Sequence, residues 1–406
     1  VHMLGDDISS LDAGVSVNSI EGDVHPGDYT ILKTSAISKG KFNPLESKLI
    51  RPRDLVRAKL NPKANSIIIS RMNTPELVGE CGYVEKDYST IFLPDRLWQT
   101  TLSRNSNLNC KWLNYMLNTY KYRKIIKDAA TGTSNTMKNI SKDQILSIKV
   151  PYPDPKEQNE ITTILSDIDN LINLLSKLIS KKKNIKRVLM QELLTGRKRL
   201  EGYSGEWKGR IVGDIGKAYG GLTGKTKVDF GEGNSKYIPF MNIMSNSIID
   251  MNFIRVVNIK DRELQNTAKY GDLFFNTSSE TPEEVGMCSA LMEETENLYL
   301  NSFCFGFRLN DLGSFNPLFL SYLFRSDVGR KLMFSLAQGA TRYNLSKSNF
   351  YRLEINTPEI EEQNAIVNIL SDIDKGIESL EHKLSKYKNI KQGMMQELLT
   401  GRIRLI

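Results

Sequence analysis

Residues Glu157–Arg197 read EQNEITTILSDIDNLINLLSKLISKKKNIKRVLMQELLTGR, and residues Glu362–Arg402 read EQNAIVNILSDIDKGIESLEHKLSKYKNIKQGMMQELLTGR. The two stretches align without a gap at an offset of 205, and between 157–200 and 362–405, 28 of 44 positions are identical. That offset is far longer than the period of a stacked solenoid. It marks a duplicated half-molecule, which points to something two-fold, or to two copies of one partner.

The repeated stretch has the pattern of a helix. Ile161, Leu165, Ile168, Ile172, Leu175 and Ile179 step 4-3-4-3-4, a seam at heptad spacing, and the twin runs Ile366, Leu370, Ile373, Ile377, Leu380, Leu384 and Tyr387. Asp154-Pro155-x-Glu157 offers an N-cap with Pro at the first helical position. Thr357-Pro358 followed by Glu359, Glu361 and Glu362 is expected to start the second helix. Gly196 and Gly401, each followed by Arg, are the stops. Each helix is then about 40 residues, or about 60 Å, long. A stripe of that length exceeds what a small domain covers, so the natural partner is the other copy. A pseudo-two-fold axis makes the two helices antiparallel. Gly376 and Gly393 interrupt the second helix, as weak points or as sites of close packing.

The segments ahead of the helices read as mixed α/β. Strands are expected at Ser66–Ser70, Leu146–Val150, Leu273–Phe275, Phe303–Leu309 and Leu353–Ile355, and helices at Lys111–Lys127 and Pro317–Leu336. These segments align only in islands. Thr74-Pro75-Glu76-x-Val78-Gly79-x-Cys81 matches Thr281-Pro282-Glu283-x-Val285-Gly286-x-Cys288, and Gly132-x-Ser134 matches Gly339-x-Thr341. The expected organisation is a globular domain at 1–153, a long helix at 154–200, a second globular domain at 201–356 and a second long helix at 357–406. Common turns with divergent filling describe two versions of one reader.

Composition suits a soluble intracellular protein. No 18-residue apolar run is present. Four cysteines in 406 residues favour a reducing compartment over a disulfide framework. Val1-His2 ahead of Met3 has the look of a cloning remnant. A net charge of +8 hints at nucleic acid.

Motifs for catalysis fail one by one. Gly220-Gly221-Leu222-Thr223-Gly224-Lys225-Thr226 is one residue short of a P-loop, since residue 219 is Tyr219. Asn316-Pro317-Leu318-Phe319 lacks the second proline of an amino-methyltransferase tetrapeptide and reads better as a helix start. The three histidines and four cysteines offer no zinc spacing. A long, duplicated, basic chain without a chemical centre favours binding over reaction.

Candidate DNA-binding residues are Arg51, Arg53, Arg71, Lys142, Lys225, Arg255, Arg342, Tyr343, Asn344 and Lys347. Arg342-Tyr343-Asn344 is chemically suited to base edges, Arg to guanine and Asn to adenine. The run Lys177, Lys181, Lys182, Lys183, Lys186 and Arg187 is more ordinarily a solvated helix face.

A variable segment, a Gly-x-[Ser/Thr] turn, Glu-Gln-x-x-Ile, a long helix and MQELLTGR, all occurring twice, resemble the specificity subunit of a type I DNA restriction-modification system. The resemblance covers nearly the whole chain. It implies two target-recognition domains of mixed α/β fold, separated by two long antiparallel coiled-coil helices with pseudo-two-fold symmetry. It implies double-stranded DNA as ligand, each domain reading one half of a bipartite asymmetric site. It implies two methyltransferase subunits as partners, with restriction subunits in the full complex. S-adenosylmethionine, ATP and magnesium are then expected on those partners and no cofactor on this non-catalytic chain, and the complex is expected to be cytoplasmic. Residues carried over for subunit docking or helix pairing are Glu157, Gln158, Asn159, Ile168, Ile172, Gln191 and Glu192. Their twins are Glu362, Gln363, Asn364, Ile373, Ile377, Gln396 and Glu397. A helix pair of that length spans at most about 18 base pairs. The other readings are a coiled-coil scaffold that reads no DNA and a DNA enzyme acting alone.

Overall fold

The computed structural model describes residues 1–132 and 136–405. Ser134 and Asn135, in the first Gly-x-Ser turn, lie outside them. The chain forms two compact units, Val1–Leu175 with Lys383–Ile406, and Ser176–His382. The boundaries therefore fall inside the long helices rather than at their ends. The first helix, Pro155–Leu193, and the second, Ile360–Leu398, have 39 residues each. Each is divided between the two units, the first after Leu175 and the second after His382.

Both units carry the same four-stranded antiparallel sheet. In the first, the order is Cys81–Val84, Ser66–Ser70, Leu97–Leu102, Ile8–Ala13. In the second it is Cys288–Ala290, Leu273–Asn276, Cys304–Leu309, Gly216–Gly220. Register is kept as well: Cys81 faces Ile69, and Cys288 faces Phe275. The filling is not kept. Ile67 and Ile69 pack with Trp112 in the first core. In the second, Phe275, Phe305, Phe307 and Phe350 meet at centroid distances of 5.1–5.5 Å. One strand frame thus carries isoleucines in the first core and phenylalanines in the second.

Each unit adds a smaller sheet containing one parallel pair, Ile91–Phe92 with Thr30–Leu32 and Leu298–Leu300 with Phe230–Ile238. Each also has a pair of short helices, Cys110–Leu117 with Tyr120–Ala129 and Pro317–Arg325 with Asp327–Ser335. A single helix was expected in each place. Ser326 breaks the second by ending one helix and capping the next, its side chain accepting from Gly329 N. In the first unit the break falls at Asn118 and Thr119, where the Thr119 hydroxyl donates back to Met116 O at 2.8 Å and does not cap the next helix.

Other expectations shift at element ends. Residues Lys142–Leu146 form a short helix behind the Ser141 cap, leaving only Lys149–Val150 as strand. Phe303 and Leu353 lie just outside their strands. Asp154 caps the first long helix, its Oδ1 accepting from Lys156 N at 2.6 Å. Thr357 does not cap the second, because it is paired with Lys208 in a strand; Glu359 O closes that first turn instead. Both helices stop where expected, with Gly196 at φ +67 and Gly401 at φ +73.

The start of each seam serves a globular core. Ile161 and Leu165 are buried with Trp112, and Ile366 and Leu370 with Phe319. Further along, Ile172, Ile179 and Ile377 stay buried, while Ile168 and Ile373 are half-exposed.

Neither helical glycine reflects close packing. A Cβ on Gly393 would meet nothing within 4 Å, and one on Gly376 would meet only the flexible end of Lys182 at 3.7 Å. Gly393→Ala is therefore expected to raise stability by about 1 kcal/mol, read as a higher urea midpoint with an unchanged slope.

Candidate nucleic-acid interface and the clamps that hold it

The Glu-Gln-Asn triplet that opens each long helix is a structural clamp. Glu157 is buried, and its carboxylate takes two hydrogen bonds from Arg404, Nε at 2.6 Å and Nη2 at 2.7 Å. Gln158 is buried too. Its Oε1 accepts from Asn109 N at 2.8 Å, and its Nε2 donates to Pro153 O at 3.0 Å. Asn159 accepts from the Asn109 side chain at 2.7 Å. Asn109 in turn caps Cys110–Leu117.

The second unit repeats every bond. Arg199 holds Glu362 through Nε and Nη2, both at 2.6 Å. Gln363 accepts from Asn316 N and donates to Pro358 O, and Asn364 accepts from Asn316 Nδ2. Asn316 caps the helix that follows, the helix-start reading of Asn316-Pro317. The charge-assisted bonds to these carboxylates raise the pKa values of Arg199 and Arg404.

A second repeated cluster lies farther along the helices. In the first unit Lys391 Nζ reaches both oxygens of Asp169 at 2.8 and 2.9 Å, Tyr115 OH donates to Asp169 at 2.9 Å, and Lys391 sits 5.3 Å from the Tyr115 ring centroid. In the second, Lys186 reaches Asp374 at 2.6 Å, Tyr322 OH donates to Asp374 at 2.8 Å, and Lys186 lies 4.9 Å from the Tyr322 ring centroid. Burial, and then the neighbouring carboxylate, push both tyrosine pKa values up. As residue numbers rise from Glu157 to Asp169, their partners fall from Arg404 to Lys391, so the helices run antiparallel in this unit. Lys186 with Asp374 and Arg199 with Glu362 give the same direction in the other.

The clamps relocate several expected docking residues. Glu157, Gln158, Glu362 and Gln363 are buried and bonded within the chain, so they offer no surface to a partner. Asn159 and Asn364 are exposed but engaged. Gln191, Glu192 and Glu397 are partly exposed and Gln396 is exposed. The neighbouring Leu193, Leu194, Leu398 and Leu399 are buried in globular cores.

The candidate DNA contacts divide. Lys225 is not available: its side chain is 3% exposed and its Nζ is bound to Glu263 and Asn258 O. That pairing holds the Glu263 pKa down at about 2. Arg71 is half-buried, its guanidinium 5.6 Å from the Trp98 ring centroid. Tyr343 is partly buried in a strand paired with Ser278–Ser279. Arg51, Arg53, Lys142, Arg255, Arg342, Asn344 and Lys347 are exposed. Arg342 and Asn344 sit at a hairpin whose tip is Gly339 at φ +135.

All four cysteines are free and buried. Burial pushes the Cys81 and Cys110 thiols up to about 12. Among the described residues no three His, Cys, Asp or Glu side chains gather to hold a metal ion, and no helix is long and apolar enough to cross a membrane.

Two stretches, residues 24–184 and 204–389, each match the family described as Type I restriction modification DNA specificity domain. The chain belongs to that family. It is 26% identical over 396 residues to the MjaX specificity subunit assigned to a type I restriction enzyme of Methanocaldococcus jannaschii, covering 93% of this chain and 88% of that one. It is 25% identical over 309 residues to the MjaVIII specificity subunit of the same organism, covering 69% and 67%. The crystal structure of the type I restriction-modification S subunit from M. genitalium shares the fold, with a TM-score of 0.59 at 16% identity over 98% of this chain and 95% of that one. A structure from work on complex assembly and conformational transition of the type I system gives 0.58 at 15% identity, over 98% and 96%. The protein is thus a DNA specificity subunit rather than a catalyst, and its mixed α/β halves are the recognition domains.

For a specificity subunit, the residues that sequence reasoning missed are Arg199, Arg404, Asn109, Asn316, Tyr115 and Tyr322. Arg199 and Arg404 had a signal, since they match within the repeat, but Arg199 stands in the basic run Arg197-Lys198-Arg199 and neither has its acidic partner nearby in sequence. Arg404→Ala is expected to lower the chemical-denaturation midpoint clearly, because it strands a buried carboxylate. Arg402→Ala, which removes only an exposed pair with Glu397, should leave it nearly unchanged. The thiols yield a pH prediction. Their folded pKa values are raised, so the unfolded chain ionises first, and the stability they contribute is lost as pH rises from about 9 toward 12. At pH 8 native Cys81 and Cys110 should resist iodoacetamide and become reactive in guanidinium, as mass spectrometry would register.

Proposed function

We propose that the two recognition domains bind the two dissimilar halves of one bipartite, asymmetric double-stranded DNA site. The paired helices set the spacer between them and dock two methyltransferase subunits. S-adenosylmethionine is bound by those subunits, and restriction subunits bring ATP and magnesium when they join, so this chain contributes selection alone. The assembly works in the cytoplasm, where its DNA is.

The observation that carries this reading is the contrast between frame and surface. The order and register of the four-stranded sheet, the capping asparagines Asn109 and Asn316, and both clamps recur. The residues after the equivalent strands do not: a Pro52–Arg57 turn rich in exposed arginine stands where the second unit has Glu263, paired with the buried Lys225 side chain. Two copies of a scaffold with different surfaces fit two half-sites of different sequence. A basic surface also favours the phosphate backbone, and that part of the affinity falls with salt.

The helix pair predicts a fixed spacer. Inserting one heptad into both helices, with the subunit co-expressed with its methyltransferase, should change the accepted spacer by a few base pairs and leave both half-sites unaltered. Genome-wide methylation mapping reads this directly, and an unchanged spacer would sink the spacing role.

A further inference from the structure

We propose that the turn Pro52–Arg57 is the base-reading element of the first recognition domain, with Val56 and Arg57 facing the DNA and buried Asp54 positioning Arg57. The assignment rests on the reading that this domain binds DNA. Between residues 47 and 75 the chain has seven Lys or Arg and one acidic residue, Asp54. That one carboxylate is only 5% exposed. Asn18 Nδ2 donates to it at 3.2 Å and Arg57 Nη1 at 3.2 Å, with Arg53 Nε at 3.6 Å. The turn is stapled again by Arg51 N donating to Asn18 O at 3.2 Å.

Asp54 faces inward while the residues around it face out. Val56 is 86% exposed, and the Arg53 and Arg57 side chains are 75% and 55% exposed. The pair joins a buried carboxylate to an exposed guanidinium. Its consequence is direction: with Nη1 held by Asp54, the Nε–Nη2 edge of a planar guanidinium is left for a bidentate contact. That geometry suits O6 and N7 of guanine, and an apolar tip beside it suits a thymine methyl. A lone exposed valine means little by itself. Here it stands between arginines aimed by a buried acid.

The second unit equips the same place differently. The segment after the equivalent strand, Arg255–Val257, also ends in an exposed apolar tip, Leu264 at 96%. Its neighbour Glu263 is bound to Lys225, so the acid beside this tip holds a buried lysine rather than an exposed arginine. The two domains thus keep an apolar tip and differ in the polar group beside it.

The test uses the full subunit with its methyltransferase partner and sequences the methylated sites. In Arg57→Ala, discrimination at one base of one half-site should fall by about ten- to a hundred-fold, with the other half-site unchanged. Val56→Ala should weaken the preference at an adjacent position, and Asp54→Asn should relax the same base as Arg57→Ala, less strongly. Val56 is exposed and Arg57→Lys keeps a cation beside Asp54, so Val56→Ala and Arg57→Lys should unfold near the wild-type temperature; Arg57→Lys, which lacks the guanidinium fork, should relax the same base and carries the test if Arg57→Ala or Asp54→Asn does not fold. An unchanged motif in Arg57→Ala overturns the assignment. So does a uniform loss of methylation with base preference intact, which is the mark of a phosphate contact. A wild-type complex that methylates without any sequence preference overturns the DNA-reading function itself, and this assignment with it.

Discussion

A buried glutamate at the start of each long helix finds its arginine just past the end of the other helix. Glu157 is met by Arg404 across 247 residues of chain, and Glu362 by Arg199 across 163. A carboxylate removed from water is costly unless a charge and hydrogen bonds meet it. Both glutamates are therefore satisfied only when each helix lies antiparallel beside the other and its tail reaches back. This is why the first compact unit is made of two separate pieces of chain, Val1–Leu175 and Lys383–Ile406, while in the second both halves of the clamp lie within the single segment Ser176–His382. The leucines of MQELLTGR follow the same rule: Leu193 and Leu194 complete one globular core, and Leu398 and Leu399 the other.

The remaining polar groups of the repeat serve that arrangement. Gln158 and Gln363 tie the helix start to a strand exit and to a capping asparagine, so the helix leaves its domain at a fixed angle. Asp169 and Asp374 collect a lysine from the facing helix and a tyrosine from the globular part. Such networks tolerate little change, because losing one member leaves the others unsatisfied. The surface carries no such constraint. It can drift without loss of stability, which lets two half-sites be read from one frame.

Much of the fold was legible in the sequence, and the failures have causes. A 39-residue amphipathic pattern with a cap and a glycine stop is a strong local signal. The helix Lys111–Lys127 was misjudged because apolar periodicity continues through Asn118 and Thr119, where the backbone is broken. Thr357 has the chemistry of a cap, but its strand pairing with Lys208 takes precedence. Lys225 looked like a phosphate ligand because its partner Glu263 is 38 residues away. The exposed arginines at Arg51, Arg53, Arg255 and Arg342 were visible from composition and turn position alone.

The sequence by itself determined the duplication, the two long helices, the mixed domains and the absence of recognisable chemical motifs. These are set by periodicity, caps and residue type, which act over a few turns of chain. Only the tertiary structure decided that the glutamate and glutamine of Glu-Gln-Asn form an internal clamp, the pairing rather than the docking reading of those two residues. It also decided which basic residues remain free. Both depend on partners tens to hundreds of residues distant, and charge pairing in space leaves no mark on local spacing.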